Sequence, residues 1–129
     1  MRQYVYLSTA SEAAEGQFDR ILASSVRNNA TRQITGFLLF NGRNFLQLIE
    51  GPDAALQALL ATLARDGRHA GLAILFSQSI VERCSPDWWM RGISLLDPVA
   101  DRRSKVESLV PQSLVSPTRE LVLNFASLN

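Results

Sequence analysis

The sequence is poor in the residues that staple small folds together. Cys84 is its only cysteine and His69 its only histidine, so an internal disulfide is impossible and the four Cys/His ligands of a structural zinc site are not available. A single thiol fits a reducing compartment. An excess of either charge is also lacking: thirteen basic against twelve acidic side chains leave a net +1, and no bulk field draws the chain to nucleic acid or an anionic membrane. No run approaches the ~20 apolar residues of a membrane span, and the opening residues lack an apolar segment behind a basic start. A cytoplasmic protein with no nucleic-acid or membrane partner is expected. The P-loop, Gly-x-Gly-x-x-Gly, Gly-x-Ser-x-Gly and His-Glu-x-x-His motifs are all missing, which removes the commoner enzyme chemistries. What is present is 129 residues, 47% hydrophobic and 19% charged. That is enough for one core, too little for two, and too apolar for disorder.

Periodicity orders the chain as βαββαββ followed by two short helices. Gln3 to Ser8 is β-branched and aromatic, a strand with Tyr4 and Tyr6 on one face. From Gln17 onward, Phe18, Ile21, Leu22, Ser25 and Val26 recur at helical spacing, and Asn28-Asn29 predicts the stop because Asn tolerates a left-handed cap. Ile34 to Phe40 and Asn44 to Ile49 are strands about a two-residue Asn41-Gly42 turn. Asp53 caps a second helix, whose stripe of Leu56, Leu59, Leu60 and Leu63 ends near Gly67. Ala73 to Ser79 and Met90 to Leu96 are the fourth and fifth strands, separated by a loop containing Pro86. Asp101 to Leu109, then Thr118 to Leu128 behind Ser116 as cap and Pro117 as first helical residue, close the chain.

The βαββαβ portion matches the ferredoxin-like split motif, an α+β sandwich with two helices on one face of a mixed, mainly antiparallel sheet. Its central strands are apolar on both alternation sets, as in Phe37-Leu38-Leu39-Phe40, whereas a sheet with one wet face alternates apolar with polar. The second face therefore needs a cover, from the remaining segment or from another subunit. Residues 97–129 are expected to form a C-terminal helical cap on it through Val106, Leu109, Leu121, Val122 and Phe125, leaving 1–96 as the principal unit.

Gln47 is the odd residue of the strands. It lies inside Phe45-Leu46-Gln47-Leu48-Ile49, where parity puts it on the face of Phe45 and Ile49. A buried primary amide must satisfy two donors and an oxygen, with backbone or water or with another polar side chain. Tyr6 is the obvious side-chain partner if the two strands are neighbours. His69, in the polar turn Asp66-Gly67-Arg68-His69, reads as a solvated loop residue or a general base. Asp66 and Arg68 read as a solvated pair. Trp88-Trp89-Met90 reads as core or interface packing. Cys84, beside Arg83 but with no base in view, is given no role.

Taken together, Ser24-Ser25-Val26-Arg27-Asn28-Asn29, Ile34-Thr35-Gly36, Phe45-Leu46-Gln47-Leu48-Ile49-Glu50-Gly51, Asp66-x-Arg68-His69 and Trp88-x-Met90 resemble the BLUF family of blue-light sensors using FAD. The resemblance covers about residues 3 to 95. It implies the ferredoxin-like sheet with a flavin ring held between the two helices. It also implies that Tyr6 is the electron donor, that Gln47 lies between Tyr6 and the flavin, and that Asn29, with Asn28 as a second contact, bonds the polar edge of the ring. Ile21 and Leu63 would sandwich the ring, while Arg27, Asp66, Arg68 and His69 would lie near its edge or side chain. Trp88 and Met90 match the family's tryptophan/methionine pair. The chain departs from the family pattern at Cys84, where an aromatic is common, and at Thr62, where a basic residue is frequent. The implied chemistry moves an electron and then a proton from Tyr6 through Gln47 and leaves Gln47 rearranged.

The expectation is a stand-alone photoreceptor, not an enzyme, that acts by contact on an unidentified downstream protein and forms a homo-oligomer. Two rivals share the topology. An acylphosphatase-type hydrolase needs an Arg/Asn anion loop, which Arg27-Asn28-Asn29 echoes only faintly. An RNA-recognition module needs exposed strand aromatics, for which Tyr4, Tyr6 and Phe45 could serve, and a basic face that the near-neutral charge does not supply.

Overall fold

Strands that are apolar on both faces require a layer on each side, and the chain builds three layers. The computed structural model describes residues 1–10, 18–65, 69–85 and 87–128, with the side chains of His69 and Ala70 outside that description. The elements are β1 (Arg2–Ala10), α1 (Phe18–Arg32), β2 (Thr35–Phe40), β3 (Asn44–Gly51), α2 (Asp53–Leu63), β4 (His69–Ser79), β5 (Arg91–Ser94), α3 (Val99–Leu109) and α4 (Thr118–Ala126). The five strands run in the order β4-β1-β3-β2-β5. All neighbours are antiparallel except β2 and β5, which are parallel. This is the mixed, mainly antiparallel ferredoxin-like sheet expected from the sequence.

Side-chain parity splits the core in two. Tyr4, Tyr6, Leu38, Phe45 and Ile49 face one way, onto Ile21 of α1 and Leu56, Leu59 and Leu60 of α2. Val5, Phe37, Leu39, Leu46 and Leu48 face the other way, onto Val106 of α3 and Val122 and Phe125 of α4. Fully burying each such side chain contributes roughly 1.5–3 kcal/mol, so neither helical layer is dispensable. The expected cap contacts are present: Leu109 packs against the second cluster, and Leu121 lines an apolar groove with Leu7, Leu46 and Phe125. Among the described residues no helix is long and apolar enough to cross a membrane.

Several local boundaries differ from expectation. Helix α1 does not stop at Asn28-Asn29 but runs to Arg32. The stop is a left-handed Gln33 (φ 59°) with the Ile34 amide returning to the Asn29 carbonyl at 3.0 Å, the six-to-one bond of a Schellman turn. The hairpin turn is displaced by one residue. Asn41 pairs with Asn44 and its Oδ1 accepts from the Arg43 and Asn44 amides, so Gly42 (φ 89°) and Arg43 form the tip. Pro52, not Asp53, holds the N-cap of α2, and its carbonyl takes the Leu56 amide. Ser116 likewise makes no capping bond to α4. Pro117 is the N-cap, and the Val115 and Pro117 carbonyls take the Arg119 and Leu121 amides. Strand β4 begins four residues earlier than expected, and β5 is shorter at both ends.

Candidate functional site

The site is assembled on the sheet face that carries α1 and α2. In the register of β1 and β3, Tyr6 stands directly opposite Gln47. Both are at the sheet centre, 0% and 4% exposed, in a mainly apolar layer. Their juxtaposition follows from antiparallel pairing, which aligns the middles of two adjacent strands and gives cross-strand partners a common face. Gln47 Nε2 donates to Met90 Sδ at 3.2 Å, and Met90 is buried with the Tyr6 cluster.

Asn29 reaches the same layer from α1. Its Nδ2 donates to the Trp89 carbonyl at 3.0 Å, so two buried amides, Asn29 and Gln47, grip the consecutive residues that lead into β5. Asn29 is 1% exposed, and its Oδ1 has no hydrogen-bond partner among the described residues. A buried, unmatched carbonyl oxygen costs on the order of 1–3 kcal/mol. Such an oxygen is suited to a ligand that carries an N–H donor.

The remaining sequence-predicted residues fall into three groups. Ile21 is buried beside Tyr6 on α1, and Leu63, the last residue of α2, packs half-buried against the same cluster. Arg27 and Asn28 are exposed on α1, and the Asn28 carbonyl accepts from Thr31 Oγ1. Asp66 and Arg68 lie outside the described residues, as does the His69 side chain, although the His69 backbone opens β4 opposite Ala10. The tryptophan/methionine pair is divided between the faces. Met90 is on the Gln47 side, whereas Trp88 packs edge-on against Phe37 on the cap side, with the Arg91 guanidinium 4.8 Å from its ring centre. Trp89, whose main chain meets Asn29, escaped sequence reasoning because a backbone acceptor leaves no residue signature.

These residues suit a planar ligand with apolar faces and a polar rim. Ile21 and Leu63 supply aliphatic surface from two helices, and Asn29 and Gln47 supply amides that both donate and accept. An isoalloxazine has that shape and that rim, so the site fits a flavin.

Comparison with known proteins agrees. Residues 1–91 match the family model of BLUF, sensors of blue light using FAD. The chain is 32% identical over 95 residues to a photoactivated adenylate cyclase subunit alpha of Euglena gracilis, covering 70% of this chain and 9% of that protein. It is also 32% identical over 59 residues to the blue light- and temperature-regulated antirepressor BluF of Escherichia coli K12, covering 46% of this chain and 15% of that one. The matched segments are thus a small part of these curated relatives. The dark-state structure of BlrB, a BLUF protein, superposes with a TM-score of 0.76 at 29% identity, covering 97% of this chain and 92% of that one. With its βαββαββ order, its buried Tyr6/Gln47 pair and the match over 1–91, this chain belongs to the BLUF family of flavin-binding blue-light sensors.

Proposed function

We propose that this BLUF protein holds FAD non-covalently between α1 and α2, with Ile21 and Leu63 against the ring faces and Asn29 Oδ1 on its polar rim. The observation that carries the reading is the Tyr6/Gln47 pair, one phenol and one amide set opposite each other in a buried, mainly apolar layer. Arg27, Asn28, Asp66, Arg68 and His69 are assigned to the rim or the side chain of the cofactor, where exposed polar groups are useful. When bound, the flavin would supply the blue-light chromophore and an electron acceptor, for which Tyr6 would be the donor.

The protein's part is to hold and move one proton. Tyr6 Oη is its source. Gln47 carries a donor and an acceptor on one neutral group, so it can take a proton at one end, release one at the other, and change orientation with no change of net charge. A turned amide alters what it offers to Met90. Where Nε2 now donates to Sδ, a carbonyl oxygen would face an atom with nothing to donate, and that contact is lost. Met90 adjoins β5, and β5 leads into α3, so the change is passed toward the helical layer. On this reading 1–96 is the sensor unit and 97–129 is the output cap. In light the cap loosens and presents a surface to a downstream protein or a second copy, in the cytoplasm and without catalysis by this segment.

The test is Tyr6→Phe, which removes the hydroxyl and keeps the ring. The variant should bind FAD as well as the wild type and lose the light-induced red shift of the flavin band. A normal, reversible red shift in Tyr6→Phe would overturn the assignment.

A further inference from the structure

A second polar pair spans the same two strands. Gln3 lies opposite Glu50 in the β1/β3 register, three rungs from the Tyr6/Gln47 pair. Three rungs is an odd offset, so the second pair points to the opposite face, toward the cap, roughly 10 Å along the strands. Gln3 is 3% exposed, Glu50 0% and Thr118 1%.

The bonding fixes the Gln3 amide in one orientation. Its Nε2 donates to Glu50 Oε2 at 3.0 Å. Its Oε1 accepts from Thr118 Oγ1 of α4 at 3.0 Å and from Gln78 Nε2 of β4 at 2.9 Å. Turning the amide over would set an oxygen against the Glu50 carboxylate, so the carboxylate decides which end Thr118 meets. Glu50 is itself immobilised by the Cys84 and Ser85 amides and by Ser85 Oγ at 2.8 Å. Thr118 is the first residue of α4, so the Gln3 carbonyl holds the start of the output helix to the strand that carries Tyr6.

We propose that Gln3, oriented by Glu50, is the positioning residue that couples the Tyr6/Gln47 pair to α4: a change in how β1 and β3 sit against each other moves the acceptor that Thr118 needs. Thr118 leaves that acceptor in the lit state. The inference rests on the reading of 97–129 as a cap that loosens in light.

The experiment is hydrogen exchange of the FAD-loaded protein, dark and illuminated, for the wild type, Thr118→Val and Thr118→Ser, with the flavin spectrum recorded alongside. In the wild type, residues 118–126 should exchange faster in light. Thr118→Val should keep its red shift, exchange about fivefold faster at 118–126 in the dark, the size of one lost hydrogen bond, and lose most of the light-dark difference. Thr118→Ser retains a hydroxyl and should restore that difference, which a residue acting only through packing volume would not do. If Thr118→Val does not fold, Thr118→Ala is read in its place with the same expectation. A wild-type difference that persists in full in the valine or alanine variant overturns the role of Gln3 and leaves the cap reading standing. A wild type with a normal red shift and no difference at 118–126 overturns both.

Discussion

The two faces of one sheet treat buried polar groups in opposite ways. On the cap side, Glu50 accepts bonds from Gln3, Cys84 and Ser85, and Gln3 spends both ends of its amide on protein partners. On the helix side, Asn29 leaves Oδ1 without a partner among the described residues, and Gln47 uses an amide hydrogen on a thioether. The closed network is a structural fastening that nothing further need complete. The open set is what remains when a protein keeps hydrogen-bonding capacity for a ligand, because a buried polar group is costly unless something answers it.

The contrast predicts different failures on the two faces. The largest effect is at Gln47. Gln47→Leu should abolish the light-induced red shift and leave flavin bound, as read from the difference spectrum, while unfolding stability hardly changes because Met90 Sδ is a weak acceptor. Glu50→Ala should do the reverse. Its removal leaves the Gln3, Cys84 and Ser85 donors unanswered in the interior and should cost about 3–5 kcal/mol in chemical denaturation, and Glu50→Gln should cost roughly 1–3 kcal/mol because one oxygen still accepts. Stability in Glu50→Ala equal to wild type would erase the distinction between the faces.

Asn29→Ala should weaken flavin binding about tenfold, or about 1.4 kcal/mol, and reduce apoprotein stability by less, since the Trp89 carbonyl is its one acceptor among the described residues. Titration of apoprotein with FAD measures this. The smallest effect concerns Cys84, whose thiol burial pushes up from 9.0 to about 12, with the Glu50 carboxylate adding to the shift. Between those values the unfolded chain has released a proton that the native chain keeps, so this group's contribution to stability is full below pH 9 and is lost as pH rises toward 12. Native Cys84 should also label slowly with thiolate-selective reagents at pH 8, and Cys84→Ala should flatten the alkaline part of the stability curve.

The helix-side face was legible in the sequence because its information is periodic. Gln47 interrupts an apolar alternation, and parity placed it correctly beside Phe45 and Ile49. The cap was legible for the same reason, from strands apolar on both faces. Features set by backbone geometry were not. Asn28-Asn29 carried the stronger local stop signal for α1, yet the helix passes through it, keeps Asn29 buried and ends at Gln33, which carries no turn preference. Asp53 and Ser116 are favourable cap residues by type, but main-chain carbonyls of neighbouring residues meet the helix amides instead. Glu50 stood in the sequence only within the motif Phe45 to Gly51, with no role of its own. Its donors come from 3, 84 and 85, far apart in sequence, and long-range pairing of that kind has no local pattern.

Whether the helix-side face holds FAD is read most directly from the visible absorption spectrum of the purified protein, in the dark and after blue light. The protein should be yellow, release its flavin on denaturation, and show a red shift that reverses in the dark. A colourless, well-folded protein that does not take up FAD would contradict it.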